Sequence, residues 1–177
     1  AEQLVISEAR HDPIDKAYRI TGTTCVINLP FRRSFSDPTA YLNQMKDLYD
    51  ALCQSPAEHV IFTSSTSVYT PNNGIVDEYT VIEPVTDRQS VLLAVEDFFL
   101  TTLPIPATVI RFGGLYGPNR EKKKFLTPNS PGGLTPVNTI HLTDCIGLMQ
   151  AIIAAPETTR QKIYNAVHPT FTPKTDF

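Results

Sequence analysis

Tryptophan is absent from these 177 residues, and cysteine, histidine and methionine are scarce, at 3, 4 and 2. Cys25, Cys53 and Cys145 form no CxxC pair and cannot complete an even disulfide set, so they read as small core residues of a protein kept in a reducing compartment. Four histidines without close His/Asp/Cys spacing leave no metal-ligand signature, and no metal site is expected. No apolar run approaches the roughly 20 residues that a bilayer crossing needs. The opening AEQLVISEAR contains acids and has no basic segment leading into a long apolar one, so it does not read as a signal peptide. A large charge of one sign is missing too. A net charge of -3 provides no electrostatic footprint for nucleic acid, and the one basic cluster, Arg120 with Lys122, Lys123 and Lys124, reads as a solvated loop. These absences predict a cytoplasmic globular protein with neither membrane nor nucleic-acid partners.

What is present is an alternation of short β-rich runs with helical spacings, the pattern of α/β architecture. LVIS (4–7), CVINL (25–29), VIFTS (60–64), ATVIR (107–111) and KIYNAV (162–167) read as strands, and most are near-continuously apolar, as a sheet covered on both faces requires. Tyr41, Leu42, Met45, Leu48, Tyr49 and Leu52 recur at helical intervals, with Asp37 as a cap, Pro38 in the first turn and Pro56 beyond the end. A second helix is expected to open on the capping box Thr86-Asp87-Arg88-Gln89 and to bury Leu92, Val95 and Phe99. A third is expected over about 143–155, with Ile146, Met149 and Ile153 inward. The fifteen prolines fall largely in connections, and the polar stretch from Glu121 to Pro136, with Gly132-Gly133, reads as a loop.

VIFTSSTSVYTPNNGIVDE is the most informative segment, because a buried strand ending in small hydroxyl residues and an aromatic is unusual for a core. Taken alone, Thr63, Ser64, Ser65 and Thr66 can equally serve the backbone at a strand end. The segment resembles the Ser-Ser-x-x-Val-Tyr strand of extended short-chain dehydrogenase/reductases of the NAD-dependent epimerase/dehydratase type. IRFGGLYGPNR (110–120) is similar to that family's next strand and loop, and VNTIHLTDCIGLMQAII (137–153) and IYNAV (163–167) resemble its later segments, in matching order over roughly 25–168. His141 and Asp144 form the His-x-x-Asp that opens the third helix, and His141 reads better as a cap than as a catalyst.

The resemblance implies a partial Rossmann-like parallel sheet with flanking helices over 1–115 and a small substrate-side lobe over 116–177, packed on the first. It implies an NAD or NADP cofactor near Leu29, Pro30, Thr63, Ser64, Phe112, Gly113, Gly114 and Leu115. The substrate, of sugar or nucleotide-sugar type, would meet Thr66, Tyr69 and Arg120, with Ser65 orienting the reacting oxygen. Homodimers built on the first two helices are common in such proteins and are expected here. In the family sheet a further strand lies beside the one matched by CVINL, so that edge is expected to be covered by LVIS or by another subunit.

Two family features are missing. A Tyr-x-x-x-Lys pair normally carries the acid-base chemistry, but counting back from Glu96 puts Arg88 in the tyrosine position and Leu92 in the lysine position. Arg88, always protonated, is a poor base and suits an anionic substrate group instead. No G-x-G-x-x-G leads into a helix, so the backbone cradle for a pyrophosphate is not encoded in these residues. Three readings therefore stand: an atypical epimerase/dehydratase-like enzyme whose general base is unassigned, a non-catalytic dinucleotide-binding or regulatory protein of the same fold, and a purely structural remnant that dimerises through the helices at about 39–53 and 87–101.

Overall fold

The computed structural model describes residues 23–28, 38–70, 74–121, 136–170 and 172–173. LVIS, Leu29, Pro30, Asp37 and most of the 121–136 stretch lie outside them. In chain order the elements are β1 (Thr24–Ile27), α1 (Pro38–Cys53), β2 (His59–Ser65), α2 (Asp87–Asp97), β3 (Ala107–Phe112), β4 (Gly114–Tyr116), β5 (Pro136–Val137), β6 (Thr139–His141), α3 (Leu142–Ala154), β7 (Ile163–Ala166) and β8 (Thr172–Pro173).

The architecture is α/β, with a parallel sheet ordered β1-β2-β3-β7. β1 and β2 run parallel in the register Thr24–His59 through Ile27–Phe62. Among the described residues β1 is a terminal strand of this sheet. The chain divides into two units, one up to Ile110 with Gln161–Tyr164, the other Arg111–Arg160 with Asn165 onward.

In the first unit the core follows the apolar runs. Val60, Ile61 and Phe62 of β2, Val109 of β3, Met45 and Leu52 of α1, and Val91 and Val95 of α2 are all buried. α2 continues as a wider π turn over Phe98–Thr102, which turns Phe99 onto β2 and Phe98 towards α1. Phe62 and Phe99 stack at 4.8 Å, Phe98 meets Phe99 edge-on at 5.7 Å, and Tyr49 meets Phe98 edge-on at 5.4 Å. This row of rings ties sheet to both helices, and aromatic pairs in such geometries add to area burial. His59 is also buried, its Nε2 bonded to Thr108 Oγ1 at 3.0 Å, so a polar pair joins β2 to β3 beside the buried Val60 and Val109.

The expected capping box at α2 is present in modified form. Thr86 Oγ1 accepts from the Gln89 amide at 3.3 Å, but Gln89 Oε1 accepts from the Val85 amide, one residue before the cap. Leu92, Val95 and Phe99 are buried as the spacing predicts.

In the second unit, α3 corrects the expected face. Cys145 and Ile152 are buried, whereas Ile146 is 48 % exposed. Positions seven apart share a helix face, and the inward stripe runs one residue away from the expected one. Cys53 differs likewise from the core residue expected: it follows Leu52, the last buried position of α1, and so turns outward and is exposed. Burial raises the Cys25 and Cys145 thiols above their usual range, which keeps both in the unreactive thiol form.

Gly114–Tyr116, expected as part of a loop, instead forms a short strand parallel to β6, paired Gly114–Thr139 through Tyr116–His141. Gly113 makes this possible. A Cβ built there would lie 2.7 Å from the Asn138 carbonyl oxygen and 3.2 Å from Val167 Cγ1, and its own amide bonds Ala166 O at 3.0 Å. Gly113→Ala is therefore expected to force the β4–β6 strands apart and destabilise the protein by about 1–3 kcal/mol. Thermal unfolding checks this; an unchanged melting temperature would contradict the close approach.

Candidate functional site

In open parallel sheets ligands settle beyond the carboxyl ends of the strands, because crossover loops and helix starts converge there. β2 delivers the hydroxyl segment to that end. Its last residue, Ser65, leaves the extended conformation and caps a single 3-10 turn, Thr66–Val68, by accepting from the Ser67 amide at 3.2 Å. A hydroxyl that accepts still has its hydrogen to donate, so Ser65 retains a donor for a substrate oxygen. Ser65, Thr66 and Tyr69 are each half-buried. The Tyr69 amide bonds Thr66 O at 3.1 Å, and its phenol donates to Asp77 O at 2.9 Å.

The neighbouring hydroxyls have different tasks. Ser64 is buried and donates to Glu96 Oε1 of α2 at 2.5 Å, so its side chain faces the helix layer rather than the strand mouth. Thr63 donates to Asn28 Oδ1 at 3.0 Å, linking β2 to the residue that follows β1. Asn28 was not among the expected site residues. Its signal in the sequence was slight: it is the first polar residue after the CVI run, and the parallel register extended by one step places it opposite Thr63.

Of the two positions matched to the missing pair, Arg88 lies half-buried in the first turn of α2 and Leu92 is 4 % exposed within the packed interior. The lysine position is thus occupied by a core residue. Arg88 stands in the same helical turn as Gln89, whose Nε2 donates to Val68 O and Tyr69 O at 3.3 Å each.

In the second unit, Phe112 and Gly113 are buried, Gly114 is half-buried and Leu115 is 44 % exposed. Arg120 closes a tight turn through paired backbone bonds with Gly117, and its Nε donates to Leu115 O at 2.8 Å. His141 caps α3, its Nδ1 accepting from the Thr143 amide at 3.2 Å, which leaves the proton of the neutral ring on Nε2. That ring packs edge-on against Tyr116 at 5.0 Å. Capping is what the sequence suggested for His141. Among the described residues no group of His, Cys, Asp and Glu could hold a metal ion, and no helix is long and apolar enough to cross a membrane.

No family model matches the chain. The Escherichia coli (strain K12) protein YeeZ is 37% identical over 145 residues, which is 81% of this chain and 52% of that protein. A solved structure from Methylobacillus flagellatus, assigned as an NAD-dependent epimerase/dehydratase, superposes with a TM-score of 0.64 at 26% identity over 77% of this chain and 50% of its own. The Bacillus cereus UDP-glucuronic acid 4-epimerase, solved with UDP-glucuronic acid and NAD, superposes with a TM-score of 0.64 at 18% identity over 82% and 50%, a likeness of fold. The chain spans about half the length of each.

Proposed function

We propose that the chain, which shares the fold of the solved NAD-dependent epimerase/dehydratase structure it superposes on, belongs to that family and works with NAD or NADP on a sugar or nucleotide-sugar-type substrate. The observation that carries this reading is Ser65. It sits at the carboxyl end of a parallel strand, half-buried, with its oxygen held by the Ser67 amide and its hydrogen available. A hydroxyl so fixed can orient and polarise a substrate hydroxyl or carbonyl.

When bound, a nicotinamide ring supplies hydride transfer. Thr63 fits a role in holding that cofactor, since its hydroxyl and the exposed Asn28 amide lie at the strand ends; Phe112, Gly113, Gly114 and Leu115, with Leu29 and Pro30, are the other residues proposed for it. Ser64 fits less well, because its hydroxyl is turned to Glu96. Thr66, Tyr69 and Arg120 are proposed to meet the substrate, the last from a C-terminal lobe over 116–177. Arg88 would neutralise an anionic group rather than move a proton. The expected compartment remains the cytoplasm.

A second reading, a non-catalytic dinucleotide-binding or regulatory protein, is favoured by Leu92, whose burial closes the lysine position to chemistry. Hydride exchange between labelled dinucleotide and a panel of nucleotide sugars, measured on the intact gene product, separates the two. Exchange supports the enzyme, binding without exchange supports the second reading, and absence of both binding and exchange removes both.

The proposed assembly is a homodimer through α1 and α2. A cavity of about 410 Å³ opens between them, walled by Met45, Tyr49, Val95 and Phe98, with Lys46 and Asp50 at its lining. A two-fold interface brings the same patch to itself, and residues of opposite charge one helical turn apart can then pair across it. Sedimentation across a dilution series should show a dimer that dissociates; a strict monomer at every concentration would remove the proposal.

A further inference from the structure

α2 presents two polar side chains inward among apolar ones. Glu96, 3 % exposed, accepts from Ser64, and Gln89, 5 % exposed, donates to the carbonyls of Val68 and Tyr69. The two are seven residues apart, hence on one helix face. They grip the chain on either side of Ser65: one on the residue before it, the other on the end of the turn that it caps. A buried polar group without a partner is costly, so each contact selects one placement of the segment. Gln89 has a second set of bonds through Oε1, from the Val85 amide and the Thr86 hydroxyl, which fixes its amide plane and thereby the direction of its donor.

From this geometry we infer that Glu96 and Gln89 are positioning residues for the proposed site: α2 works as a two-point clamp that holds Ser65 and Tyr69 in place for a hydroxyl- or carbonyl-bearing sugar substrate. The inference deepens the proposed function and rests on it for the identity of the ligand. It assigns α2 a role in the site that does not depend on acid-base chemistry at positions 88 and 92.

The clamp can be tested apart from activity. Gln89→Glu keeps the acceptor used by Val85 and Thr86 but removes the donor to Val68 and Tyr69, so it leaves the helix cap and breaks only the grip on the turn. Glu96→Leu removes the acceptor for Ser64, and Glu96→Gln retains one. Hydrogen exchange at the Ser67 and Tyr69 amides is expected to accelerate about tenfold in Gln89→Glu and Glu96→Leu, with the Val109 amide of β3 within about twofold of wild type. Glu96→Gln should stay near wild type.

Wild-type protection at Ser67 and Tyr69 in both disruptive variants, or an equal loss at Val109, would overturn the clamp. In the intact gene product the same two variants should lower turnover of a nucleotide sugar more than they raise its KM, and an unaltered turnover would also count against the clamp. If the wild type neither binds dinucleotide nor turns over sugar, the proposed function fails, while the exchange experiment still decides whether α2 holds the segment.

Discussion

Phe62→Ala is expected to destabilise the protein by about 3–5 kcal/mol, the cost of deleting a fully buried phenyl ring and leaving a cavity that neighbours fill only in part. Phe62 is inaccessible to solvent and stacks on Phe99, which meets Phe98, which in turn meets Tyr49 of α1. Its loss therefore removes the first ring of a row that joins β2 to both helices. For a chain of this length the melting temperature should fall by roughly 10 °C or more. Phe62→Leu should recover part of that loss, because it restores apolar volume without the ring geometry. Thermal or denaturant unfolding reads both. A loss below about 1 kcal/mol would mean that the stack is not a principal part of the core. The residue is also one step from the site: Thr63, Ser64 and Ser65 follow directly, so a shift of β2 reaches the hydroxyl segment.

The second large effect concerns Ser65. Its oxygen accepts from the Ser67 amide, which sets where its hydrogen can point. Removing one well-placed donor from a developing negative charge costs on the order of 100-fold in rate in enzymes that depend on such donors. Ser65→Ala is accordingly expected to lower hydride exchange about 100-fold, while the lost 3-10 cap lowers stability by only about 1 kcal/mol. That contrast identifies a functional residue: the change in rate greatly exceeds the change in folding. Ser65→Thr keeps a hydroxyl and should retain part of the rate.

Much of this was legible in the chain because local and tertiary preferences agree. The runs VIFTS and ATVIR are largely apolar and became interior strands, and Pro38 and Thr86 mark helix starts that the structure places at those residues. His141 before a helix read as a cap and is one. Elsewhere the deciding contact was distant in sequence. The β4–β6 pairing depends on Gly113 meeting Asn138, 25 positions away, and a Gly-Gly pair looks like a turn when read locally. The buried face of α3 slipped by one residue because Cys145 and Ile146 are both acceptable inside, and only packing chooses between them.

At the site, sequence pattern singled out the hydroxyl residues but could not divide their labour. Thr63, Ser64 and Ser65 are chemically alike, yet Asn28, Glu96 and the Ser67 amide give each a different partner. Gln89 was legible as a cap through its spacing from Thr86; its donor to Val68 and Tyr69 was not, since that bond crosses from helix to turn over some 20 residues.

Ser65, held at a strand end by the Ser67 amide, is proposed as a working group of a dinucleotide-dependent sugar site. This role is read most directly by transfer of deuterium from nucleotide sugars labelled at a hydroxyl-bearing ring carbon to NAD or NADP, the carbinol becoming a ketone as the dinucleotide is reduced, by the intact gene product, for wild type, Ser65→Ala and Ser65→Thr, with melting temperatures for each. The expected result is transfer by the wild type, about 100-fold slower transfer by Ser65→Ala, partial retention in Ser65→Thr, and melting temperatures within about 4 °C of one another. Transfer by Ser65→Ala at the wild-type rate would contradict it.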